Sequence, residues 1–82
     1  MTEEEIVNLL NNKRNGENNK KLLEFCREPK TYQQMRKTGI EGDVLKTLVE
    51  LKKAGAIAWE SGKYYATKEG LRILDSLATS ST

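Results

Sequence analysis

Between Ile40 and Tyr65 the chain reads IEGDVLKTLVELKKAGAIAWESGKYY, and the order of signals in this stretch restricts the fold more than any other feature. Val44, Leu45, Leu48 and Leu51 recur with the period of an α-helix that starts around Glu41 or Gly42. Gly55 supplies the stop, since glycine closes a helix in the left-handed conformation without a Cβ penalty. Ala56–Glu60 and Lys63–Thr67 then flank Ser61-Gly62, a two-residue hairpin signal. Pairing across it sets Glu60 against Lys63, Trp59 against Tyr64, Ala58 against Tyr65 and Ile57 against Ala66. In that register Ile57, Trp59, Tyr64 and Ala66 share a face suited to covering helices, and Ala58, Glu60, Lys63 and Tyr65 share the outer one.

The residues upstream read as three shorter helices. Thr2-Glu3-Glu4-Glu5 fits a capping box, followed by Ile6, Leu9 and Leu10 at i, i+3 and i+4. That helix ends between Asn11 and Arg14, inside a stretch rich in asparagine, and Asn15 to Asn18 is expected to be a loop. From Asn19 a second helix carries Leu22, Leu23 and Cys26 on one face with Phe25 beside them, and it stops before Pro29. Thr31-Tyr32-Gln33-Gln34 is another capping box, so a short helix runs from Tyr32 to about Thr38 with Tyr32 and Met35 facing inward. Gly39 ends it and Ile40 anchors the turn, which makes helix, tight turn, helix. After the hairpin, Thr67 caps a last helix whose inward stripe is Leu71, Leu74, Leu77 and Ala78, with Ile73 to one side. The predicted fold is mainly α with a two-stranded β-hairpin. Its expected layout is an N-terminal helix and Asn-rich loop over 1–19, a main domain over 20–78, and a frayed tail over 79–82.

Composition narrows the function classes. With 82 residues, 32% charged and 37% hydrophobic, the chain suits one small globular domain. No apolar run approaches the roughly 20 residues of a membrane span, and no signal-peptide pattern follows Met1-Thr2, so a cytoplasmic protein is expected. One cysteine and no histidine argue against an internal disulfide, a zinc site or a Cys-His nucleophile. Cys26, on the apolar side of its helix, reads as a buried structural thiol. No cofactor is implied, and with no glycine-rich phosphate loop or nucleophile elbow the chain does not read as an enzyme. The net charge of +2 becomes +5 once Glu3, Glu4 and Glu5 are set aside, so the remainder can face a polyanion.

The segments KLLEFC, TYQQMRKTGI, VLKTLVELKKAGAI and KYYATKEG together resemble the winged helix-turn-helix superfamily, particularly small archaeal-type transcription regulators. The last segment is similar to that family's aromatic-x-Thr-x-x-Gly junction, with Ala66 where a larger aliphatic residue is common. The resemblance covers Lys20 to Leu77 and leaves the N-terminal helix as an addition. It implies sequence-specific binding to double-stranded DNA, with the helix from about Gly42 to Ala54 in the major groove and the hairpin tip on the adjacent backbone or minor groove. Asp43, Lys46, Thr47 and Glu50 then become candidates for base edges, and Lys53, Lys30, Arg36, Lys37 and Lys63, with Tyr65, for the DNA backbone. Each lysine or arginine taken singly also reads as an ordinary solvated charge. A homodimer is expected, with Ile6, Leu9 and Leu10 of the first helix and Ile73 and Leu77 of the last at its contact. Glu41, Asp43 and Glu50 put negative charge at or beside the reading face. They motivate an alternative, a winged helix that docks proteins within a transcription or replication assembly.

Overall fold

Among the described residues five helices and one antiparallel hairpin follow from these patterns, in the order α1 (Glu3–Leu10), α2 (Gly16–Phe25), α3 (Tyr32–Arg36), α4 (Val44–Ala54), β1 (Ile57–Glu60), β2 (Lys63–Ala66) and α5 (Lys68–Ser80). The computed structural model describes residues 3–38 and 43–80, the side chains of 78–80 excepted. The expectations for Thr2, Gly39, Ile40, Glu41, Gly42, Ser81 and Thr82, and for the side chain of Ala78, lie outside the described residues.

Local chemistry sets the helix ends. Thr31 and Gln34 form the reciprocal capping box of α3, and the Asp43 carboxylate caps α4 by accepting from the Lys46 amide at 3.2 Å. α4 therefore starts at Val44, later than its apolar pattern indicated, and ends at Gly55, which is left-handed at φ 87°. The hairpin pairs in the expected register, and both turn residues have positive φ, 53° at Ser61 and 81° at Gly62, as a two-residue type I′ turn requires. A further pairing lies outside the hairpin. Lys30 bridges Tyr64 through two backbone hydrogen bonds of 2.8 and 2.7 Å, which lays the segment before α3 along β2.

The aromatic-x-Thr-x-x-Gly junction has a plain mechanical role. The Thr67 hydroxyl accepts from the Gly70 amide at 3.0 Å and donates to the Gly55 carbonyl at 2.7 Å, tying the start of α5 to the end of α4. Gly70 lies so close to the Ala56 backbone that a Cβ there would sit 2.6 Å from its carbonyl oxygen.

One core joins all the helices, and here several sequence expectations are corrected. Ile6 and Leu10 of α1 are buried together with Leu22, Leu23, Cys26, Met35, Leu48, Leu51 and Ile57. The N-terminal helix is thus part of the core, and the boundary drawn at residues 19 and 20 falls inside α2. The Asn-rich connection is ordered by its own side chains. The Asn12 side chain accepts from the amides of Arg14 and Asn15, and buried Asn19 donates 2.7 Å to the Leu9 carbonyl at the end of α1. α2 accordingly begins at Gly16, where a Cβ would meet the Leu10 carbonyl at 2.7 Å.

On α5 the inward positions are Gly70, Ile73, Leu74 and Leu77, spaced i, i+3, i+4 and i+7, so Ile73 belongs to the buried stripe. The helix continues to Ser80, which places residues 79 and 80 in it rather than in a frayed tail. Ile6, Leu10 and Ile73, assigned above to a dimer contact, are 1%, 0% and 3% exposed, because each fills the chain's own core. Leu45 and Trp59, expected in the core, are 49% and 53% exposed. Leu45 faces away from the Leu48/Leu51 side of α4. Trp59 stands near the hairpin tip, where cover by the helices has ended: Ile57 and Ala66 at the base are buried, while residues 59–63 are exposed.

Two arginines lace the outside of the bundle. Arg27 of the α2–α3 connection pairs with Glu24 and Asp75, and Arg72 of α5 pairs with Glu69 and, at 2.8 Å, with Glu3 of α1. Hydrogen bonds to these carboxylates raise both guanidinium pKa values further. They are exposed pairs and mainly fix register.

Burial pushes the Cys26 thiol up to about 12, against a weaker downward pull from Lys30. The thiol is therefore neutral at physiological pH. An alkylating reagent at pH 8 should leave the native protein unmodified and label it fully in denaturant; rapid labelling of native protein by mass spectrometry would refute the buried placement. The sign for stability follows from linkage. A pKa raised on folding contributes stability that is complete below the unfolded value of 9.0 and is lost as pH climbs toward about 12.

Candidate nucleic-acid interface

α4 has two distinct long sides. Leu48, Leu51 and Ala54 are buried, Val44, Thr47 and Glu50 half-buried, and Leu45, Lys46, Val49, Lys52 and Lys53 exposed. The exposed five fall at i, i+4, i+7 (Leu45, Val49, Lys52) and at i, i+3, i+7 (Lys46, Val49, Lys53), which makes one continuous outward arc. It carries three ammonium groups, two aliphatic side chains and no carboxylate. The apolar pair is 49% and 43% exposed, and with Trp59 these are the large hydrophobic residues left in solvent among the described residues.

The residues read above as base contacts divide between this arc and the flank of α4 that faces α1 and α2. The Asp43 carboxylate is engaged as the helix cap, and the Thr47 hydroxyl donates to the Asp43 carbonyl at 3.1 Å. Asp43, Lys46, Thr47 and Glu50 line a cleft of about 220 Å³ together with Asn15, Asn18 and Asn19. Glu50 and Lys53 also line a second cleft, of about 350 Å³, with Glu5, Asn8, Leu9 and Asn12. Thr47 and Glu50 therefore point at the N-terminal helix and its connection. Lys46 and Lys53 sit at the two ends of one margin of the outward arc. Of the acids thought to oppose a polyanion, Asp43 lies at the end of the helix and Glu50 on its flank beside Lys46 and Lys53, outside the arc itself, and Glu41 lies outside the described residues.

The remaining candidates are dispersed. Lys30 is drawn inward: its side chain is 19% exposed, with its ammonium 5.1 Å above the Phe25 ring and 3.7 Å from Glu28, so it does not stand ready for phosphate. Arg36 lies 5.9 Å over the Tyr32 ring and, with Gln33 and Lys37, borders an open hollow of about 420 Å³. Lys37 also reaches a cleft of about 620 Å³ between α2, the end of α3 and α5, where Arg27 is already neutralised by Glu24 and Asp75. Lys63 is exposed beside the hairpin turn and pairs in register with Glu60, and Tyr65 is half-buried opposite Ala58. Leu45, Val49, Lys52 and Trp59 join the surface without having been expected there. For the first three a signal exists in the residues, because positions 45, 49 and 52 form a row of their own. Spacing to Leu48 alone groups Leu45 with the core.

Comparison with protein-family models, with curated proteins and with solved structures finds no match for this chain.

Proposed function

We propose that this chain is a winged helix-turn-helix domain that binds double-stranded DNA as a sequence-specific transcription regulator, with α4 in the major groove and the β1–β2 hairpin on the adjacent backbone or minor groove. The observation that carries this reading is the outward arc of α4, which is cationic and free of carboxylate. An α-helix fits the major groove of B-DNA, and lysines on its margins neutralise phosphate and release counterions. The order α3, α4, hairpin and the Lys30–Tyr64 bridge agree with a wing built beside a reading helix. Asp43, engaged as the α4 cap, and Glu50, on the α1 side, both stand outside the outward arc.

The exposed Leu45, Val49 and Trp59 favour a second reading, in which the same surface docks a protein and has no affinity for DNA. One titration separates the two. Trp59 is the sole tryptophan, and its place near the hairpin tip makes it a built-in reporter. Adding duplex DNA at low salt should change its emission, and log K should fall linearly with log salt by about 0.9 for each phosphate neutralised. No binding to any duplex at low salt would discard the DNA reading and leave the protein-docking one.

A homodimer that doubles the reading helix belongs to the same proposal. With Ile6, Leu10 and Ile73 in the core, its contact falls to half-buried Leu9 and Leu77. Light scattering that finds only monomer at high micromolar concentration would remove it.

A further inference from the structure

Resting on the assignment of α4 to the major groove, we infer that its base readout is largely apolar: Leu45 and Val49 pack against the C5-methyl groups of thymines. The hydrogen-bonding code of the major groove is read by arginine or lysine on guanine and by asparagine or glutamine on adenine, in bidentate pairs. α4, VLKTLVELKKA, contains no arginine, asparagine or glutamine. Thr47 bonds the Asp43 carbonyl and Glu50 is turned toward α1, which leaves Lys46 as the outward polar group in the N-terminal half of the helix. That half is where recognition helices touch bases.

Leu45 and Val49 occupy the centre of that arc, 49% and 43% exposed, between Lys46 and Lys53 on one margin and Lys52 on the other. A single exposed aliphatic residue is unremarkable on any surface. Two in one row, with cations on both sides and no acid, match the thymine methyl, the apolar group that a base edge offers between phosphate-lined walls. Four residues along a helix advance about 6 Å, close to two base-pair steps of about 3.4 Å. Thymines two steps apart on one strand therefore suit the pair, an arrangement that alternating adenine-thymine DNA repeats throughout.

The test compares three duplexes of equal length at fixed salt: alternating dA-dT, alternating dA-dU and alternating dG-dC. Uracil keeps every hydrogen-bonding atom of thymine and lacks only the methyl. Burying one methyl is worth about a fourfold change in affinity, so dA-dT should bind on the order of tenfold tighter than dA-dU if both residues engage. The L45A/V49A double variant, altered at exposed positions only, should erase the difference while keeping the wild-type salt slope. Measurable binding with equal affinity for dA-dT and dA-dU overturns the methyl readout and leaves the DNA proposal standing. Discrimination that survives in L45A/V49A overturns it as well, since the methyl is then read elsewhere. Failure to bind any of the three at low salt overturns both.

Discussion

Replacing Leu10 with alanine should lower the free energy of unfolding by about 2–5 kcal/mol, the usual effect of emptying a fully buried leucine site. Leu10 ends α1 and has no exposed surface, and α1 packs against α2, α4 and α5. For a domain of 82 residues, total stability is on the order of 4–12 kcal/mol, so a single truncation removes a large fraction of it. Urea unfolding followed by far-ultraviolet circular dichroism should show one cooperative transition, moved to much lower denaturant at unchanged slope. If L10A keeps the wild-type midpoint, or loses only the signal of one short helix in a separate step, α1 is an appendage and the shared core is refuted. The experiment decides whether the chain up to Asn19 is an optional extension or part of the minimal folding unit.

That question arises from a limit in how far residue patterns can be read. The hairpin register was legible because side chains alternate with a period of two, and a one-residue slip would have moved Ile57 and Ala66 to the outer face. The caps of α3 and α5 were legible because Thr31/Gln34 and Thr67 satisfy amides within three residues of themselves. The errors have a common physical source. An apolar residue on a helix announces that a face is apolar, and it does not say how wide the buried face is. Spacing alone puts Leu45 into the stripe of Leu48 and Leu51 and leaves Ile73 out of that of Leu74, whereas the outcome depends on what the neighbouring helices cover. Trp59 follows the correct alternation and still emerges in solvent, since the hairpin outruns the helices beneath it. The asparagines of the α1–α2 connection read as a loop by composition. Instead the Asn12 side chain closes a local turn on the amides of Arg14 and Asn15, and Asn19 of α2 ties back to the Leu9 carbonyl of α1, a link between helices that no local pattern encodes.

The same shift of faces changes which substitutions should affect DNA. Alanine at Lys46, Lys52 and Lys53 together should reduce the salt slope of duplex binding by about 2.7, at about 0.9 for each phosphate that is no longer neutralised. At 0.1 M salt each of these lysines is then worth roughly eightfold, and the triple variant should bind on the order of several hundredfold more weakly. The three side chains are exposed at the edges of the outward arc and carry no core packing, so the variant should fold as the parent does, which circular dichroism can verify. Glu50→Gln is the informative contrast. If Glu50 stood on the reading face, removing its charge would strengthen binding markedly. Half-buried against α1, beside Glu5 and Lys53, it should shift affinity far less than any one of the lysines. A triple lysine variant that binds duplex as tightly as the parent, or an E50Q variant with the larger effect, would return the interface to the α1 flank of α4. In that case the outward row of Leu45 and Val49 would have to serve a protein partner, and the cationic arc would have no part in recognising nucleic acid.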